Sequence, residues 1–238
     1  VTGINDNTFE ACSGVTEVVI PGSVKTIGKS AFQGCTALKS ATIPEGTQSV
    51  GEKAFYGCGS MTDLSISKTV TTIGPSAFME CNKLTNLYMD TPIVKSSTHF
   101  SFNSFSTAAL SGIKTLEVGA NVDTIGVAAF YKLTGLSSLT LPNGLLEIKS
   151  SAFSLCSALA SVSIPATVTT IGDYAFYRSG LTSMAVPAKV TALPNGLCHS
   201  CLNLETVSYS VSAVTSIGSS AFYKCEKLQA LAIGEKVR

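Results

Sequence analysis

Eight cysteines and two histidines are the side chains of this 238-residue chain best suited to chemistry. Thiols can close disulfides, hold zinc or act as nucleophiles, and each use demands its own spacing. Seven of the eight, Cys12, Cys35, Cys58, Cys81, Cys156, Cys201 and Cys225, fall in one column of a recurring interval. Side chains that recur in register read as an internal ladder of buried thiols, small and polarizable enough to fill a tight turn. Neighbouring copies about 5 Å apart lie within Cα reach of a disulfide, but their parallel directions resist bridging. Cys198-His199-Ser200-Cys201 has the C-x-x-C spacing of a metal or redox fragment. No second such pair and no histidine pair completes a zinc site. A serine or cysteine nucleophile needs His99 or His199 as its base, and sequence brings no partner to either. The carboxylates are scattered, and the glycines recur without a phosphate-cradling pattern. The expectation is a chain with no catalytic residue, no metal and no cofactor.

The interval behind the cysteine column is 23 residues. Phe9, Phe32, Phe55 and Phe78 keep it, as do Ile20, Ile43, Ile66 and Met89. Phe130, Phe153, Phe176 and Phe222 continue the phenylalanine column, while Cys198 occupies it and Cys201 follows in the cysteine column. About ten copies of V-T-x-I-G-x-x-A-F-x-x-C-x-x-L-x-x-L-x-I-P account for the chain. One unit, near 90–118, lengthens to 29 residues by an insert that carries His99, Phe100 and Phe102, with Phe105 close behind.

Within a unit, Ser40-Ala41-Thr42-Ile43 alternates polar and apolar residues, the pattern of a half-buried strand, and Pro44 ends the ladder because it lacks an amide hydrogen. A second alternating stretch, as in Val168-Thr169-Thr170-Ile171-Gly172, predicts another short strand, with positive φ expected at its glycine. Ser30-Ala31-Phe32-Gln33-Gly34-Cys35 is too short for an independent helix and reads as one helical or 3₁₀ turn. No unit can bury its apolar face alone, so stability requires each to cover the next. The fold class expected is a repeat solenoid: a right-handed curved rod with one main parallel strand per unit, a second short strand and short helical turns. With strands about 4.8 Å apart, the rod would be roughly 45 Å long.

Apolar residues make up 45% and charged residues 13%, a composition that requires a core. Sixteen basic against fifteen acidic residues give a net charge of +1, and no local Lys/Arg cluster could neutralise a run of phosphates, which argues against nucleic acid. No apolar run is long enough to span a membrane as a helix, and no Asn-x-Ser/Thr sequon occurs. The sequence opens and closes inside a unit, so we read residues 1–238 as a single repeat domain cut from a longer protein.

The unit resembles the BspA-like, or Treponema pallidum-type, leucine-rich repeat. Ile27-Gly28-Lys29-Ser30-Ala31-Phe32 with Cys35, Leu38, Ile43 and Pro44 fits the motif, and the resemblance covers essentially the whole chain. It implies a cell-surface or secreted protein of the kind found in anaerobic bacteria and some protists. It further implies adhesion, with a host extracellular-matrix or surface protein as partner, and brings no catalytic residue. Unpaired thiols sit uneasily in an oxidising compartment, a tension that an anaerobic habitat eases.

Binding is left to residues that the core does not use. Reading outward positions down the main strands gives mostly Ser, Thr and Ala, the filler of a solvated sheet face. Asn86, Tyr88 and Glu117 differ and border the enlarged unit. Together with His99, Phe100 and Phe102 they form the candidate partner-binding patch, on the concave face and the insert at 96–105, because aromatic residues outside the repeat's columns have no assigned core position. The alternative is a spacer that displays a neighbouring domain and binds nothing itself.

Overall fold

The computed structural model describes residues 1–95 and 105–238. They form two compact units, one of residues 1–93 with 105–121 and one of 94–95 with 122–238. Both are β-solenoids in which one sequence repeat makes one coil. In the first unit the main strands are β3 (Ser40–Ile43), β5 (Asp63–Ile66), β7 (Asn86–Met89) and β8 (Thr115–Val118). They pair in parallel and in that order. Alternation decides which way each residue faces: Ala41, Ile43, Leu64, Ile66, Leu87, Met89, Leu116 and Val118 are buried. Zero slippage between coils then stacks like on like, as in Ser40↔Asp63↔Asn86↔Thr115 and Thr42↔Ser65↔Tyr88↔Glu117. The expected second strand is present as β1 (Gly3–Ile4), β2 (Thr26–Ile27), β4 (Ser49–Val50) and β6 (Thr72–Ile73), again parallel.

The second unit repeats the plan. Its short strands are β9 (Thr124–Ile125), β11 (Glu147–Ile148) and β12 (Thr170–Ile171), which pair with one another, and β14 (Ala192–Leu193) with β16 (Ser216–Ile217). Its main strands are β10 (Ser138–Thr140), β13 (Ser183–Ala185) and β15 (Thr206–Ser208), the last two pairing in register.

The phenylalanine column is the spine of each core. Rings of Phe9, Phe32, Phe55 and Phe78 stack at 5.0–5.6 Å between centroids and lie within 14° of parallel. Phe130, Phe153 and Phe176 do the same at 5.6 and 5.7 Å. Phe105 corrects the sequence reading: it is a buried member of the column, 5.5 Å from Phe78, and not a stray loop aromatic. The insert had shifted it off the 23-residue interval. After it, residues of the turn are replaced by a short helix, α1 (Thr107–Gly112), which buries Ala109 and Leu110. Ser106 caps α1 by accepting the Ala109 amide hydrogen at 3.2 Å.

Two local expectations also need correction. The Ala-Phe-x-x-Cys segment of a standard coil is not a helical turn. Every second amide bonds back three residues, as Gln33 does to Ser30 at 3.1 Å, while those between donate to the next coil, as Phe32 does to the Ala54 carbonyl at 2.7 Å. Residues such as Ser30 (φ 53°) and Lys53 (φ 55°) take the left-handed conformation that permits this alternation, which a helix cannot supply because it consumes its own amides. The glycine of the Ile-Gly pair, in contrast, does not have positive φ. It is needed for close approach: a Cβ on Gly51 would lie 2.6 Å from the Gly28 carbonyl carbon, and one on Gly74 2.4 Å from the Glu52 nitrogen.

Candidate binding face

On β3, β5, β7 and β8 the outward residues form two parallel rows across the sheet. They border a shallow groove of about 240 Å³ whose lining includes Asp63, Asn86, Tyr88, Thr115 and Glu117. Three of the residues singled out from sequence, Asn86, Tyr88 and Glu117, are therefore brought together. Asn86 Nδ2 donates to Asp63 Oδ1 at 2.7 Å, and the Thr62 hydroxyl donates to Asp63 Oδ2 at 2.6 Å, so the Asp63 carboxylate is fixed in place. Tyr88 sits half-buried between Ser65 and Glu117. Burial pushes its phenol above the usual range, with the Asp90 and Glu117 carboxylates adding to the shift. It therefore stays a neutral donor through any physiological pH.

Asp90 does not point its charge at a partner. Its carboxylate accepts the Asn121 backbone amide at 2.9 Å and the Asn121 side chain at 2.6 Å, and Gly119 leaves room for it. Glu117, by comparison, is exposed and makes no hydrogen bond or ion pair among the described residues. No lysine or arginine lines the groove. The arrangement is an aromatic ring flanked by one organised and one free carboxylate, with Ser and Thr around it. A cationic side chain could lie over the ring and hydrogen-bond to Glu117. Sequence reasoning missed Asp63, whose role emerges only when register sets it against Asn86.

The other sequence-selected residues fall elsewhere. His99, Phe100 and Phe102 lie outside the described residues. Five of the seven column cysteines are buried, as expected, while Cys12 and Cys225 are half-buried, and the buried thiols have a definite partner. Cys35, Cys58, Cys81, Cys156 and Cys201 each donate S–H to a phenylalanine carbonyl of the preceding coil at 3.1–3.4 Å. In the first unit that same carbonyl also accepts the amide of the cysteine three residues on in its own coil, as Phe32 does from Cys35. Burial pushes the thiols of Cys81 and Cys156 up to about 12, and that of Cys58 higher still.

In the C-x-x-C fragment, Cys198 replaces a phenylalanine ring and donates to the Met184 sulfur at 3.2 Å, while Cys201 takes the ordinary column position. Interaction with the neighbouring Cys201 thiol, together with burial, pushes the Cys198 thiol up, so it stays protonated. His199 Nδ1 lies 2.9 Å from the Ser200 hydroxyl, and no carboxylate among the described residues orients the ring. Among the described residues no group of three His, Cys, Asp or Glu could hold a metal ion, and no helix is long and apolar enough to cross a membrane.

The family model described as the BspA type leucine rich repeat region matches residues 2–132 and 98–229. No curated protein matches the chain. Among solved structures, a leucine-rich repeat protein from Bacteroides ovatus is similar over 99% of this chain, with 24% identity and a TM-score of 0.63. The match covers 65% of that protein, so the chain spans a little less than two thirds of its length. A leucine rich cell surface protein from Faecalibacterium prausnitzii shares 27% identity over 100% of this chain and 78% of that one, with a TM-score of 0.43. The T. pallidum leucine rich repeat protein shares 21% identity over 90% and 78%, also at 0.43.

Proposed function

The chain belongs to the BspA-type leucine-rich-repeat family, and from that premise we propose that it is a protein-binding module of a cell-surface or secreted adhesin. The contact face is the outer side of the β3–β5–β7–β8 sheet, centred on Tyr88. The observation that carries the reading is the groove around that ring: Glu117 free, Asp63 fixed by Asn86, and no basic residue in the lining. Tyrosine is among the side chains that give interfaces their strongest single contributions once a partner covers them. The partner that fits is a host matrix or surface protein presenting an exposed lysine or arginine. His99, Phe100 and Phe102 belong to the same proposal on sequence grounds alone, as neighbours of the enlarged unit.

The test is capture of the whole chain on a panel of immobilised matrix and plasma proteins, with Tyr88→Ala, Glu117→Gln and Thr140→Ala compared with the unaltered protein. Binding to one member of the panel should weaken at least tenfold in the first variant and several-fold in the second, with Thr140→Ala unchanged. Equal binding by all four proteins would remove this face from consideration. No binding to any member would favour the spacer.

A further inference from the structure

The second unit carries a repeated feature that neither its core nor the sheet face uses. Phe130-Tyr131-Lys132, Phe176-Tyr177-Arg178 and Phe222-Tyr223-Lys224 place a tyrosine and then a cation immediately after a core ring. Amide bonds between coils fix these cations in one column. Lys132 donates to the Ser154 carbonyl, Leu155 to Tyr177, Arg178 to His199 and Ser200 to Tyr223, at 2.7–2.9 Å. Lys132, Arg178 and Lys224 thus stand on alternate coils, roughly 10 Å apart along the stack. All three adopt positive φ (65°, 52° and 56°), in a column that holds Ala11, Gly34, Gly57 and Glu80 in the first unit.

Beside Arg178 and Lys224 the rings of three successive coils meet. The His199 ring bridges Tyr177 at 5.2 Å and Tyr223 at 4.8 Å, and Tyr174 packs edge-on against Tyr177. Tyr174 and Tyr223 are 40% and 53% exposed, so part of the strip is open to solvent. Arg178 lies 5.5 Å from the Tyr177 ring and Lys224 5.6 Å from that of Tyr223. Neither these cations nor Lys132 is in an ion pair among the described residues. A groove of about 470 Å³ runs between Arg178 and Lys224, lined also by Ser200, Asn203 and Glu226.

We infer that this turn edge binds a linear anionic polysaccharide, one that carries negative charge on every disaccharide. Exposed rings suit the apolar faces of sugars, Ser200 and Asn203 suit their hydroxyls, and the cations meet charge at intervals. The spacing counts against nucleic acid, whose phosphates recur about every 3.4 Å along a strand of duplex DNA and would mostly go unmatched. Glu226 in the groove also disfavours a dense run of negative charge.

The inference is tested by titrating the whole chain against hyaluronan, chondroitin sulfate, neutral dextran and duplex DNA at several salt concentrations. Hyaluronan, chondroitin sulfate or both should bind, and dextran should not. Lys132→Gln/Arg178→Gln/Lys224→Gln should weaken binding at least tenfold and flatten its salt dependence. The control Lys25→Gln/Lys39→Gln/Lys83→Gln removes equal charge from the first unit and should bind within twofold of the unaltered chain. Tyr223→Ala should weaken binding several-fold at unchanged charge, and Glu226→Gln should tighten it. Failure of both anionic polysaccharides to bind, equal losses in the two triple variants, or duplex DNA bound as tightly as polysaccharide would each overturn the inference.

Discussion

Truncating one ring in the middle of the phenylalanine column should cost far more than truncating the ring at its end. Phe55 is fully buried and stacks on both sides, 5.0 Å from Phe32 and 5.6 Å from Phe78. Removing a core phenylalanine costs about 3 to 5 kcal/mol through lost transfer energy and residual cavity. The coils on either side cannot freely close the gap, because amide bonds between coils hold the backbone, as the Phe32 amide is held by the Ala54 carbonyl at 2.7 Å. Two ring pairs are also lost, each worth about 0.5 to 1.5 kcal/mol. Phe55→Ala should therefore lie at or above the top of the usual range, near 5 kcal/mol. Phe9 has one neighbouring ring at 5.2 Å and is 40% exposed, so Phe9→Ala should cost about 1 kcal/mol. Urea unfolding followed by far-ultraviolet circular dichroism measures both. A fall in the m-value of Phe55→Ala would mean that the stack parts at the vacated coil. The reasoning fails if Phe55→Ala costs less than about 2 kcal/mol, or if the two variants cost the same, since stacking would then not carry the stability.

Three further outcomes follow from the packing between coils. At pH 8, thiols pushed up to about 12, such as Cys81 and Cys156, hold about a thousandth of the thiolate of an ordinary cysteine, so iodoacetamide should label half-buried Cys12 long before either. Early labelling of Cys81 would refute their burial. The same shifts predict a loss of stability in alkali: folded thiols keep their protons while unfolded ones release them near 9, so stability is whole below about pH 8.5 and falls as pH climbs toward 12. Each thiol contributes up to about 1.4 kcal/mol per pH unit in that window, and Cys81→Val/Cys156→Val should flatten the decline in urea midpoint between pH 8 and 10. Gly51→Ala should destabilise by about 2 kcal/mol or more, because its Cβ meets backbone at 2.6 and 2.7 Å and not a movable side chain. Unfolding like that of the native protein would show that the coils can separate there without cost.

What the sequence made legible was whatever repeats. Phe55, Cys58 and Ile66 recur at 23 residues because every coil must offer the same shape to the next, so periodicity reveals the core directly. Geometry that depends on contact between coils was less visible. The left-handed φ of Ser30 and Lys53 has no residue signature, since it is imposed by amides reaching to the neighbouring coil. Likewise, Gly51 could be read as a bend or as a point of close approach, and only the 2.6 Å distance decides. Phe105 was misread because a longer insert broke the count, although its distance from Phe78 is that of any other pair in the column. The site was half legible: Tyr88 stands out among Ser and Thr, but the Asn86–Asp63 bond needs register.

In a stacked-coil protein, information about a partner can reside only where the columns are free to vary. The phenylalanine, cysteine and isoleucine positions are fixed by neighbours on both sides, and their substitution is felt as instability. Outward positions on a main strand face solvent, so a tyrosine such as Tyr88 beside free Glu117 is not required by the stack. The same holds for the position two residues after the core ring, which varies from Ala11, Gly34, Gly57 and Glu80 in the first unit to Arg178 and Lys224 in the second. Surface changes at these places leave stability within about 0.5 kcal/mol in general, so they are free to follow a ligand. Variants at Tyr88 and at Arg178 should accordingly separate binding from folding, whereas no variant at Phe55 or Cys81 can.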